Sequence, residues 1–247
     1  MLSLALNPAL DPTALAGEYA ARGRVRIHSL LAEDGVRALH GEIVRREDWR
    51  QMFIGSGGVI EIDRAARAAM PPEEADSLDR AVHERAALGF QYRYEGLRVP
   101  TPGEAAPGDA LGTFAEFMAS AELLGFLQTV MNCSALAFGE GMTTAYGPGD
   151  FLTCHDDAVA GRNRLAAFVL GMTPQWRPEW GGLLMFHADD DAHGHALVPR
   201  FNTLDLFAVP QRHSVTYVSP AALGRRLALT GWLRPAEPQA SALDEAA

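Results

Sequence analysis

Between Ser134 and Leu233 the chain breaks into short β-prone runs separated by turns, and this texture limits the fold more than any other feature. The runs are Leu136–Phe138, Met142–Tyr146, Phe151–Cys154, Leu165–Leu170, Leu183–Phe186, Ala196–Val198, Leu204–Val209, Ser214–Val218 and Leu227–Leu233. Several short strands at such close spacing point to a sandwich or a barrel. The first half reads differently, as mainly helical. Asp11-Pro12 opens a helix that Gly23 stops, and Ala32–Val44 has helical periodicity. Ile62–Met70 reads as a short helix, Pro71-Pro72-Glu73-Glu74 opens another that Gly89 closes, and Leu111–Met118 and Ala121–Met131 are two more, the last capped by Ser120. Strand-like alternation occurs there only at Val25–His28 and Phe90–Tyr94. Gly55–Gly58 is a turn without nucleotide-binding spacing, and residues 101–109 form a Pro/Gly-rich, mobile loop. The expectation is one domain over 1–247: a helical buttress (1–133), a β core (134–235) and a frayed tail (236–247).

Composition removes several function classes. With 48% hydrophobic and 21% charged residues the chain has enough apolar material for a sizeable core. A formal net charge of −10 repels phosphate backbones and anionic lipid, so neither nucleic acid nor a membrane surface is an expected partner. No stretch approaches the ~20 apolar residues of a membrane span, and the N-terminus lacks a basic region ahead of its short apolar run. The two cysteines, Cys133 and Cys154, are too few for a disulfide framework and fit a reducing compartment. A soluble, cytoplasmic protein is expected.

The chemistry concentrates in Tyr146–Asp157, which reads Y-G-P-G-D-F-L-T-C-H-D-D. A turn leads into an apolar run that ends on His155 and Asp157. If that run stays extended, residues i and i+2 project from one face, and an imidazole and a carboxylate converge. His213, at the start of a distant strand, supplies a second imidazole. Two histidines and one carboxylate leave the opposite metal positions open, as in non-haem Fe(II) oxygenases. The same donors also suit Zn(II), Mn(II) or Cu(II), so ligand type alone does not name the metal.

Arg226 narrows the choice. On the strand Arg226–Trp232, Arg226, Ala228 and Thr230 share one face and Leu227, Leu229 and Gly231 the other. An inward guanidinium is costly without an anion and matches a carboxylate bidentately, whereas Arg225 should face outward. A structural ion pair is the bland alternative for Arg226.

Five strings in order now carry a resemblance: Y-x-P-G-D-F-L-x-x-H-x-D (Tyr146–Asp157), W-x-x-x-W-G-G-x-L (Trp176–Leu184), P-x-F-N-x-L-x-L-F (Pro199–Phe207), H-S-V (His213–Val215) and R-L-x-L-T-G-W (Arg226–Trp232). The chain resembles the Fe(II)/2-oxoglutarate-dependent dioxygenases, specifically their prolyl-hydroxylase-like branch. The C-H-D-D string (Cys154–Asp157) is similar to the subgroup that hydroxylates a prolyl residue of a small-subunit ribosomal protein.

That resemblance implies an α+β protein whose C-terminal half is a double-stranded β-helix (jelly roll) buttressed by N-terminal helices. It implies Fe(II), 2-oxoglutarate and O2 as cofactors, with ascorbate as a reductant. His155, Asp157 and His213 become the iron ligands, with Asp156 a neighbour that leaves the metal alone. Arg226 would bind the distal carboxylate of 2-oxoglutarate, assisted by Thr230 and the Tyr146 hydroxyl. Arg164 matches a position near the substrate entrance, and Asn202 a structural one. Hypoxia-sensing relatives carry a Tyr near the position of Gly171, and here none stands there. Leu152, Leu183, Phe207 and Leu229 are assigned to the core, and Trp176, Trp180 and Trp232 to packing. His187, His193 and His195 read as an exposed hairpin loop, with a second metal site as the rival reading.

The implied reaction is hydroxylation of a prolyl residue in a protein or peptide, and the acidic surface suggests a basic, even ribosomal, substrate. A hydroxylase of free amino acids on the same fold is the alternative, and a non-catalytic metal-binding jelly roll is a third reading.

Overall fold

The structure, a computed structural model, describes residues 2–190 and 192–236. The expected frayed tail lies outside the described residues from position 237 onward. All the α-helices among the described residues precede position 132. They are α1 (Pro12–Arg22), α2 (Glu33–Val44), α3 (Arg64–Ala69), α4 (Pro72–Ala86), α5 (Ala110–Met118) and α6 (Ala121–Met131). The expected caps are present. Asp11 accepts the N–H groups of Thr13 and Ala14, Ser120 accepts that of Leu123, and Gly23 turns left-handed at φ 63° to stop α1.

The strands join into one wrapped antiparallel sheet. From the first half come β1 (Arg24–His28), β2 (Arg50–Gly55), β3 (Gly58–Asp63) and β4 (Tyr92–Val99). The second half gives β5 (Leu136–Tyr146), β6 (Phe151–His155), β7 (Ala166–Gly171), β8 (Leu184–His187), β9 (Gly194–Leu197), β10 (Thr203–Ala208), β11 (His213–Val215) and β12 (Arg226–Pro235). The order is β1-β10-β7-β12-β5-β4-β6-β11-β8-β9, with β2 and β3 added beside β4. Strand β4 pairs with β5 through Glu95–Val99 and with β6 through Tyr92 and Arg93, so it turns the chain from one half of the roll to the other. The two halves meet where Ala167 and Phe207 pack against Leu184 and Phe186. This is the double-stranded β-helix, and the jelly-roll expectation holds.

Alternation along the strands sorts the residues between two environments. Phe168, Leu170, Leu204, Leu206, Leu229 and Leu233 face outward into the main core, where Leu39, Ile43, Phe114 and Leu127 of the helices cover them. The opposite face of the same strands looks into the roll. The helices therefore make a rigid backing for the strands that present the site.

Three local readings need correction. The stretch from Ile62 does not start a helix: β3 runs to Asp63, whose side chain caps α3 at Arg64. Strands β2 and β3 form a hairpin around Gly55–Gly58 that the helical reading of the first half did not include. The runs Leu136–Phe138 and Met142–Tyr146 are one strand, β5, which continues through Gly139 and Gly141.

Candidate metal centre

His155 is the last residue of β6 and His213 the first of β11, and the two are direct cross-strand partners. Their rings lie 4.1 Å apart between centroids. Asp157 is not on the strand. It sits two residues past the end of β6 with φ 63°, so a turn, rather than strand alternation, brings its carboxylate back to the imidazoles. The inference from i, i+2 spacing reached the right residues through the wrong geometry. The carboxylate oxygens lie 3.4 Å from His155 Nε2 and 3.4 Å from His213 Nε2.

Each ring is fixed by its other nitrogen. His155 Nδ1 donates to the Thr153 carbonyl at 3.0 Å, and His213 Nδ1 donates to the Gln211 carbonyl at 2.8 Å. Both Nε2 atoms are therefore left as lone-pair donors aimed at the shared point. Burial, then the neighbouring His155, pushes His213 down to about 4, which keeps it neutral. Burial pushes the Asp157 carboxyl up, but its close contacts with His155, His213 and Trp232 outweigh burial and hold the group below its ordinary value. Among the described residues, His155, Asp157 and His213 are the one group whose donor atoms converge closely enough to hold a metal ion. The hairpin histidines do not join such a group. His193 pairs with Asp190 in the exposed β8–β9 turn, and His187 bonds the Ser214 hydroxyl.

The triad opens into a cavity of about 390 Å³ that Arg226 also lines. Arg226 is 3% exposed and its Nε has no acceptor in the protein. Burial pushes its guanidinium down from the ordinary value, while Tyr146 and Asp205 favour the charge. Tyr146 is its cross-strand partner, with the guanidinium carbon 5.0 Å from the ring centroid. A buried cation with an orphaned donor is unfavourable by itself and fits a site for an anion. Thr230 lines the cavity with its hydroxyl donating to the Met142 carbonyl at 3.3 Å. Arg225 faces the other way and pairs with Glu95. The donor set and the orphaned guanidinium thus fit Fe(II) and a dicarboxylate such as 2-oxoglutarate.

Arg164 lines the cavity but is heavily engaged by the protein. It donates to the Asp157 carbonyl at 3.3 Å and to Glu140 at 2.5 Å, and its guanidinium carbon stacks 3.5 Å from the Trp232 ring centroid. Asp156 is exposed and accepts the Ala158 N–H, clear of the triad. Asn202 is structural, bonding both the N–H and the carbonyl of Leu31.

Phe207 is a core residue and Leu152 and Trp232 pack against the core, as expected, and all three also line the cavity. An aromatic wall also went unread: Phe90, Tyr92 and Tyr94 run along the entry into β4 and along β4, and Tyr94 packs 5.1 Å from Tyr146. Their alternation was the available signal, but it did not show which face turned toward the site. At Gly171 itself no side chain fits, since a Cβ there would fall 2.1 Å from the Arg200 carbonyl oxygen.

The profile of the 2OG-Fe(II) oxygenase superfamily matches residues 142–234, which hold all three ligands and Arg226. The chain is 38% identical over 96 residues to prolyl 3-hydroxylase OGFOD1 of Xenopus laevis, covering 35% of this chain and 18% of that protein. It thus spans less than a fifth of that relative's length. Among solved structures, the oxygenase fold recurs in a Pseudomonas putida prolyl-4-hydroxylase, with 22% identity, TM-score 0.60 and coverage of 92% of this chain and 100% of that one. It recurs in a Trichoplax adhaerens prolyl hydroxylase solved with a hypoxia inducible factor peptide fragment, with 12% identity, TM-score 0.55 and coverage of 91% and 89%.

Proposed function

We propose that this chain is an Fe(II)- and 2-oxoglutarate-dependent dioxygenase that hydroxylates a prolyl residue of a protein or peptide. One observation carries the reading: the His155–Asp157–His213 donor set and the orphaned Arg226 guanidinium open into the same cavity. Iron with 2-oxoglutarate and O2 supplies the oxidising power that a C–H bond requires. The chain's own residues bind and orient. His155, Asp157 and His213 would hold the iron from one side, and Arg226 with Tyr146 would hold the far carboxylate, charge against charge. The apolar lining from Leu152, Leu184 and Phe207 keeps water from the reacting bond.

The prolyl substrate is supported by the prolyl-hydroxylase activity for which the similar proteins are named. A basic substrate is supported by the net charge of −10. A reducing, cytoplasmic setting is supported by the unpaired Cys133 and Cys154.

Anaerobic titration of the Fe(II) protein with 2-oxoglutarate tests the centre: a visible charge-transfer band should form, and Asp157→Ala should abolish it. Incubating a cell lysate with the loaded enzyme tests the substrate, because prolines should gain one oxygen atom in a mass spectrum. Turnover of free proline but of no peptide would move the assignment to a small-molecule hydroxylase.

A further inference from the structure

Large apolar side chains stay in water at the rim of the oxygenase cavity. Phe90, in the link between α4 and β4, is 51% exposed, and Val159, two residues past Asp157, is 50% exposed; both line the cavity. Leu88, two residues before Phe90 in the same link, is 89% exposed. Exposed apolar groups that cluster at a cavity mark a binding surface more often than isolated ones do.

Phe90 is also held in place. Its ring lies 5.4 Å from the ring of the ligand His155 and 5.9 Å from that of Tyr92, so two aromatic neighbours support it beside the metal centre. The ionisable groups around it are already committed. The triad and Arg226 belong to the metal and co-substrate, Arg164 is engaged with Glu140 and Asp157, and Asp156 accepts a backbone N–H. A charged target side chain finds no dedicated partner next to Phe90. An uncharged aliphatic ring finds a flat apolar surface on which both partners lose water. Leu88, outside the cavity lining and two residues before Phe90 in the chain, adds a further exposed apolar side chain to the same link.

We propose that Phe90 is the specificity platform: the ring of the target prolyl residue packs on its open face, while Leu88 and Val159 contact the neighbouring residues of the substrate chain. This deepens the prolyl-hydroxylase reading and rests on it. The test compares wild type, Phe90→Ala and Phe90→Tyr, each loaded with Fe(II) and 2-oxoglutarate. All three are incubated with a proteome-derived peptide library, and KM and kcat are then measured on the peptide that wild type oxidises best.

Phe90→Ala should raise the peptide KM at least tenfold, about 1.4 kcal/mol, with kcat changed far less. Phe90→Tyr should retain the wild-type KM. The charge-transfer band is the second readout and should persist in Phe90→Ala. An unchanged KM in Phe90→Ala overturns the platform and leaves the prolyl reading standing. Loss of the band overturns it too, because Phe90 would then serve His155 rather than substrate. If wild type oxidises no prolyl peptide, the reading itself fails and the platform falls with it.

Discussion

Arg226 is the residue whose environment makes least sense without a ligand. It is 3% exposed, its Nε has no acceptor, and its aromatic neighbour, the Tyr146 ring, lies 5.0 Å from the guanidinium carbon. Its position was legible because strand alternation separates it from Leu227 and Leu229, which pack toward the helices. Arg226→Ala should weaken 2-oxoglutarate binding by 30-fold or more, about 2 kcal/mol for a truncated buried charge pair, while Fe(II) binding changes little. Equal loss of both ligands, measured by anaerobic titration, would mean a damaged fold. Arg226→Met keeps the apolar stem and removes the orphaned donor. It should melt no lower than wild type without ligand, yet lose the rise in Tm that 2-oxoglutarate gives wild type. Phe90 was harder to see, because an exposed aromatic before a strand has no periodicity that aims it at a site.

At the scale of elements, the turn after β6 decides whether the triad forms. Asp157 adopts φ 63°, an uncommon conformation for a residue with a Cβ. Arg164, at the entry to β7, donates to the Asp157 carbonyl and is itself clamped by Glu140 and by the face of Trp232. Arg164 is thus a positioning residue for the ligand turn. Arg164→Ala should lower Fe(II) affinity 10- to 100-fold, the usual effect of losing a group that orients a ligand, and Arg164→Lys should recover part of it. Affinity equal to wild type, measured by Fe(II) titration without co-substrate, would rule out that role. Sequence reasoning could not supply this turn, since spacing alone cannot distinguish an extended pair from a folded-back one. It also split β5 into two runs on either side of Gly139–Gly141. There glycine permits close approach: a Cβ at Gly139 would lie 3.0 Å from the Trp232 carbonyl oxygen, next to the register shift at Trp232/Leu233. The β2–β3 hairpin was missed for another reason. Strand β3 is exposed or half-exposed throughout, so burial imposes no alternation that a reader could detect.

Across the whole molecule, the helices and the β-roll divide the labour. The main core lies between the helices and one face of the sheet, and the site occupies the other face. That division was legible from the change of texture at Ser134, although β1–β4 join the same sheet from the first half. Because the backing is independent of the site, the surface charge is free to serve encounter. The chain carries a net charge of −10, and at the cavity itself Asp156 is exposed while Arg162 and Arg164 are drawn to Glu140. A cationic substrate therefore meets an attractive long-range field and no free local cation from these two arginines. Steering of this kind acts on association and is screened within ~8 Å at physiological ionic strength. For a Lys/Arg-rich prolyl peptide, kcat/KM should fall about tenfold as salt rises from low levels to about 0.5 M, mainly through KM. A neutral peptide with the same residues flanking its proline should change by less than about twofold, which separates screening from any effect of salt on the metal centre. Equal salt sensitivity of the two peptides would remove charge from the basis of substrate choice and leave it to the apolar rim.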